Sequence, residues 1–439
     1  MKYKMFFIGL LIFSINLMFR PMAWAQWTRD NRVLVTDSGV VMGGMGFSFI
    51  EDQSFFTFNL RSELKFGEFA MGIDAPLRFN TDTGELRDQD WDEKYDYVRI
   101  IRYLKYGRKR GTPIYARLGT LDAAKLGHGF IMNYYTNEIQ YDRRKIGLEF
   151  DADFDLWGWE SVFSNFERLE IMGGRGYVRP LQNVRGVSIL KNLTFGATLV
   201  TDQNTDVLDS TDEGVTIGGL DIELPLINFG PLSSMVYADY AKIKRFGSGQ
   251  AIGLEIALRP LDAIFSVHTK IERRFLGKHF LPSYFNPFYE NERLRVTDAG
   301  SIRKTDQLLS RSSKEQGIYA ELFGELLKLV KFIGTFERID GQKDSGRLHM
   351  AGLLSQSIAR FTAHASYDRT GIQNFSDTFS LDDRSMARIG VGYQANPYMI
   401  LFMNYIWTFQ LNEVTQTLET QRRVEPQVAF VFPINFARP

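Results

Sequence analysis

Along most of this chain, apolar and polar residues alternate with a period of two. In 361–370, FTAHASYDRT, residues Phe361, Ala363, Ala365 and Tyr367 fall on one side and Thr362, His364, Ser366, Asp368 and Thr370 on the other. In 145–153, Ile146, Leu148 and Phe150 alternate with Gly147, Glu149 and Asp151. The pattern returns at 192–201, at 250–259 with Ile252, Leu254 and Ile256 against Gly253 and Glu255, and at 263–272, where Phe265, Val267 and Ile271 face away from His268, Lys270 and Glu272. Near the end, Val428, Phe430 and Phe432 alternate with Gln427 and Ala429. Such alternation marks strands with one greasy and one wet face, so the material is sheet. What remains to be found is the surface that each face meets.

The first of these strands also poses a chemical question, because His364, Ser366 and Asp368 are the residue types of a hydrolase triad. Side chains two apart in a strand run parallel, roughly 6.6 Å from one another, whereas a nucleophile and its base must meet at about 2.6–3.2 Å. A self-contained triad therefore fails on geometry. The sequence contains neither G-x-S-x-G nor G-x-x-x-x-G-K-[ST], so nucleophile-elbow hydrolases and P-loop enzymes are not indicated, and the expectation is a protein without enzymatic activity.

Composition narrows the fold further. Glycine (38), phenylalanine (36) and tyrosine (19) are abundant, as suits turns and pleated, crowded walls. Lysine plus arginine (52) balance aspartate plus glutamate (52), so no net field recruits nucleic acid. Lys2 and Lys4 precede an apolar run that ends at Ala23-Trp24-Ala25. This is the layout of a secretory signal peptide over 1–25, leaving 26–439 as the exported chain with a short periplasmic N-terminal segment. Cysteine is absent, so neither disulfides nor a lipid-anchored N-terminus is available.

Short links, such as 65–67, 107–113, 154–158, 228–231, 259–262 and 395–397, take turns with longer polar ones, such as 81–95, 202–213, 273–313 and 371–384. GGRG (173–176) reads as a further turn, and IYAELFGELLKLVKFIG (318–334) as two strands around GELLK, with a helix as the competing reading. Short turns at one end and long loops at the other are the arrangement of a bacterial outer-membrane barrel. A strand in lipid must pair both backbone edges, so only a closed sheet spans. Roughly nine short turns, with both ends periplasmic, give an all-β, antiparallel up-and-down transmembrane barrel of about 18–20 strands, large enough for an aqueous lumen.

The signal cleavage site, the repeated strands and the last strand, VAFVFPINF, together resemble the outer-membrane β-barrel proteins of Gram-negative bacteria. The resemblance implies an outer-membrane location, contact with lipid and lipopolysaccharide, and insertion by the barrel-assembly machinery. Such proteins commonly end on an aromatic residue; here Phe436 is followed by Ala437, Arg438 and Pro439.

On this basis His268, Lys270, Glu272, His364, Ser366, Asp368, Glu255 and Glu149 are candidate lumen-lining residues. The loop RRFLGKHFLPSYFNPFYENERLR is rich in both cations and aromatics. Its aromatics are costly to expose: folded into the mouth they would make Arg273, Arg274, Lys278, Arg293 and Arg295 a basic constriction, and an outer loop packed on its neighbours or on lipopolysaccharide is the alternative. Asp88, Asp90 and Asp92 have the first spacings of a calcium loop, but Glu93 and Arg99 stand where glycine and glutamate belong. The five histidines show no metal spacing, and no cofactor is indicated. The expected function is a porin-like channel for small polar solutes. A structural, adhesion or secretion-partner barrel with a blocked lumen is the alternative, and a barrel-embedded hydrolase comes third.

Overall fold

The computed structural model describes residues 39–434 except 93, 110, 140–144, 167–168, 185–189, 204–213, 262–263, 298–299, 359 and 413–416, with some further side chains, mostly at strand ends, also undescribed. The signal segment, residues 26–38 and the tail with Phe436 lie outside the described residues. The strands are β1 (Gly39–Ile50), β2 (Gln53–Phe66), β3 (Phe69–Asn80), β4 (Ile101–Tyr106), β5 (Ile114–Gly119), β6 (Gly147–Asp153), β7 (Trp157–Phe163), β8 (Ile171–Val178), β9 (Thr194–Asp202), β10 (Val215–Phe229), β11 (Leu232–Ile243), β12 (Ser248–Leu261) and β13 (Phe265–Leu276). A small hairpin follows, β14 (Leu294–Thr297) and β15 (Gly300–Arg303). Then come β16 (Glu315–Leu326), β17 (Val330–Ile339), β18 (Gly346–Ile358), β19 (Phe361–Ile372), β20 (Ser385–Asn396), β21 (Met399–Asn412) and β22 (Thr417–Ile434).

Outside the small hairpin, every strand pairs antiparallel with its neighbours in sequence, giving one 20-stranded sheet. The last strand returns to the first, with Gly39 opposite Ile434 and Phe49 opposite Val424, so the sheet is closed. Closure leaves no unpaired edge, which is the condition for crossing hydrocarbon. Tight turns such as Gly67-Glu68, Gly230-Pro231 and Pro397-Tyr398 sit at the end where β1 begins and β22 finishes. The connections 81–100, 120–146, 277–314 and 373–384 sit at the other end. The first end is periplasmic and the second external by the usual asymmetry.

Two local readings are settled by backbone chemistry. The segment 318–334 is two strands, not a helix: β16 and β17 meet at Leu327-Lys328-Leu329, where Leu327 (φ 53°) and Lys328 (φ 56°) adopt the left-handed pair that a tight hairpin demands. GGRG at 173–176 is not a turn but the interior of β8. Its glycines make room for rings and side chains: a Cβ on Gly174 would meet Trp159 Cζ2 at 2.8 Å, and one on Gly173 would meet Leu126 Cδ1 at 2.8 Å.

The outer face carries the exposed apolar residues, among them Leu199, Leu220, Ile252 and Ile271. Exposed aromatics mark the periplasmic rim, including Phe69, Trp157, Phe229 and Tyr398, and others, including Tyr97, Tyr240 and Phe275, stand nearer the external rim. Two aromatic girdles flanking an apolar band are what an outer-membrane barrel shows to lipid. The inner face buries charge instead, with Arg78, Arg117, Arg274 and Arg423 all nearly inaccessible.

Candidate functional site: a lumen crossed by two loops

The connection between β5 and β6 does not stay outside. Gly119 ends β5, and residues 120–139 run through the barrel almost wholly buried. Leu121, Leu126 and Ile131 pack on inner-wall residues Val162, Ile171, Val200 and Ile217. Farther along, Tyr134 joins Phe323 and Ile333 of the opposite wall, and Ile139 meets Met386 and Phe409. A loop this buried must satisfy its polar groups. Lys125 Nζ lies 3.3 Å from Glu321, Thr408 Oγ1 donates to the Ile139 carbonyl at 2.9 Å, and Lys270 donates to the His128 carbonyl. Lys109, in the periplasmic turn 107–113, donates to the Lys125 carbonyl at 3.3 Å, so the loop also touches that turn.

The second loop, 277–311, joins it. Phe280, Leu281, Tyr284, Phe285 and Tyr289 share one buried cluster with the first loop. Met132 and Phe285 form a parallel bridge, with Asn133 N–H donating to the Phe285 carbonyl at 2.9 Å and Phe285 N–H to the Ile131 carbonyl at 3.1 Å. The hairpin β14–β15 reaches over to β22. The aromatic content of 273–311 is thus buried in the mouth, apart from Phe275, which faces out from β13.

Among the described side chains, Arg273, Arg274, Lys278 and Arg293 do not gather into a ring. Arg273 points outward from β13, where it bonds Asp340 at 2.7 Å, and Lys278 is exposed. The period of two explains this: adjacent Arg273 and Arg274 occupy opposite faces. Arg274 is buried against Glu272 (2.6 Å) and Glu337 (3.2 Å). Arg293 is buried between Glu170 (2.9 Å) and Asp202 (2.8 Å). Both act as fasteners. Arg295 belongs to β14, whose side chains lie outside the described residues.

The inner-wall candidates sit on the inner face. Lys270 and Glu272 pair at 2.7 Å, with Tyr237 donating to Glu272 at 2.7 Å. His268 lies 3.4 Å from Glu255, and Glu149 takes Lys109 at 2.7 Å. Asp368 bonds His349 of β18 at 2.8 Å, and that imidazole stacks on Tyr134. His364 lies over Gly390 and near Asn404. Ser366 stands opposite Arg388 in the register. Cross-strand neighbours, invisible to a reading along one strand, decide the partners.

His128 meets Asp239 at 3.2 Å and Glu223 at 3.5 Å. Burial alone would lower its pKa, but these carboxylates outweigh that and raise it. His128, Asp221 and Glu223 gather donor atoms within 4.8 Å. Arg175, however, takes Asp221 at 2.5 Å and also bonds Glu223. A guanidinium among the donors neutralises the charge a cation would need, so the group fits an ion-pair knot rather than a metal site. In the external loop 81–100, Asp90 likewise serves Arg78 (2.9 Å) and Arg87 (2.8 Å).

A closed 20-stranded barrel with an apolar exterior, aromatic rims and a polar interior defines a porin-like protein of the bacterial outer membrane. No protein-family model and no curated protein matches the chain. Among solved structures, it is similar to the outer membrane protein OprD of Pseudomonas aeruginosa, 10% identical over 95% of this chain and 98% of that one, TM-score 0.32. It is also similar to OccK2 (OpdF) of the same organism, in complex with glucuronate, with 9% identity over 90% and 95% of the two chains and TM-score 0.32. The siderophore receptor PirA, again from Pseudomonas aeruginosa, gives 10% identity over 91% and 81% and TM-score 0.35.

Proposed function

We propose that the protein is a passive channel for small polar solutes, narrowed by the loops 120–139 and 277–311. The observation that carries this reading is the way the two loops are held: packed on each other and fastened to the inner wall by buried ion pairs. Side chains on the same inner wall stay partly accessible, among them Arg61, Arg102 and Arg388. A barrel of this size leaves a water-filled bore unless something fills it, and loops packed against walls from β7 round to β21 narrow such a bore. The proposed solute path follows the wall built from β1, β2, β21 and β22.

A blocked lumen is the second reading, favoured by the reach of β14–β15 to β22. Such a barrel would serve as a structural or binding surface. Conductance of the purified protein in planar bilayers decides between them. Stepwise ion currents are expected, and their absence at every voltage would leave the blocked barrel. Contact with lipopolysaccharide and insertion by the assembly machinery belong to the same proposal; depletion of that machinery is expected to leave the chain out of the outer membrane.

A further inference from the structure

The inner faces of β1, β2, β21 and β22 carry a different chemistry from the charged wall elsewhere. Asn59, Asn404 and Gln427 line a small, half-open notch, with Arg61 at its margin. Met42 and Phe402 give it an apolar side. Gly44 sits between the amides: Asn59 is its partner on β2, and Gln427 lies opposite Gly46 on β22. A Cβ built on Gly44 finds its nearest atom, the Val428 carbonyl O, at 3.5 Å. The depth of the notch is therefore space that a side chain would fill.

Two of the amides are incompletely used. Asn59 (7% exposed) leaves Oδ1, and Gln427 (9% exposed) leaves Nε2, without a hydrogen-bond partner among the described residues. One is an acceptor and the other a donor, and such groups are costly to leave unpaired. An ion would satisfy one of them. A hydroxyl, which both donates and accepts, satisfies either.

We propose that this notch is a subsite that takes a hydroxyl edge of a neutral, hydroxyl-rich solute moving along the wall. The inference rests on the channel reading and deepens it. Amide side chains offer donor and acceptor side by side, the pattern a vicinal pair of hydroxyls presents in return. Phe402 and Met42 supply the apolar surface that the C–H face of a sugar ring can cover. Arg61 faces Asp74 at 3.6 Å, so the pocket margin carries opposing charges and gives an anion no clear advantage.

The experiment is current recording in planar bilayers with KCl, adding D-glucose or gluconate, with block normalised to each variant's own KCl current. Wild-type protein is expected to show concentration-dependent block by D-glucose, with gluconate no stronger. Gly44→Leu, which fills the notch, and the pair Asn59→Leu with Gln427→Leu, which removes the free amides, are expected to weaken that block about tenfold or more, the equivalent of one or two hydrogen bonds. Heat-modifiable migration confirms that each variant is folded. Equal glucose block in wild type and both variants, or block by gluconate alone, would overturn the subsite. A barrel that carries no KCl current ends the channel reading by itself. The subsite is then read by saturation-transfer NMR with D-glucose on the solubilised protein: transfer lost in Gly44→Leu supports it, and no transfer in wild type refutes it.

Discussion

At the scale of single residues, the wall is governed by which face a side chain occupies. Ala365 is exposed on the outer face of β19, and Ser366 beside it is on the inner face. Ala365→Arg is expected to cost about 2–4 kcal/mol if the position lies near the bilayer midplane, whereas Ser366→Ala is expected to be tolerated. Urea titration in detergent or lipid, followed by heat-modifiable migration, measures both; equal tolerance would mean that the faces are exchanged. This much was legible in the sequence because lipid and water impose opposite demands on successive residues. The partner of Asp368 was not legible. His364 and Ser366 are its neighbours in sequence, but His349 is opposite it across the ladder, and register comes from the whole sheet.

At the scale of elements, the two loops inside the barrel set the behaviour. The aromatics of 277–311 called for packing of some kind, since exposing so many is costly, but left open whether the mouth or an outer surface receives them. Residues 120–139 gave no such signal: they have no period, and their apolar residues are spread among Asp122, Lys125, Asn133 and Glu138. What could have singled the stretch out is its length between two strands together with Leu121, Leu126, Phe130, Ile131 and Met132. Phe285 is fully buried where the loops join, so Phe285→Ala is expected to cost about 3–5 kcal/mol of loop packing and to raise single-channel conductance while the barrel stays heat-modifiable. In the proposed channel, selectivity falls to cations on the loop's own partners. Arg388 and Arg102 flank Glu138, and both (14% exposed) are more accessible than that carboxylate (4%). Arg388→Glu is expected to shift the reversal potential toward cations, and Arg273→Glu, outside the barrel, to leave it unmoved.

Acid should loosen the same loops. Burial would raise the Glu170 carboxyl, but Lys145 and Arg293 outweigh it and hold the group at about 2. Glu292, buried beside Lys304, is held at about 2 as well. For carboxyls depressed in the folded state, the stabilising contribution is complete above their ordinary value of 4.5 and is lost as pH falls toward 2. Conductance is expected to be steady near neutrality and to rise across that acid window. A flat profile would mean that Glu170–Arg293 does not hold the loop.

At the scale of the whole molecule, the architecture was legible because closure leaves few options: about 18–20 strands were expected, and the sheet has 20. Recovery with outer membranes and heat-modifiable migration on a gel are the expected bulk properties, and recovery as a soluble periplasmic protein would contradict them. The seam between β22 and β1 adds a constraint on time. It joins the two extremes of the sheet, so the ring stays open until the last strand arrives. Residues 120–139 and 277–311 must therefore take their places while there is still a gap to enter by, or thread a finished ring from its mouth. The zipping of that seam therefore divides two routes: loops in place beforehand are enclosed with it, and loops that come later have only the mouth to enter by.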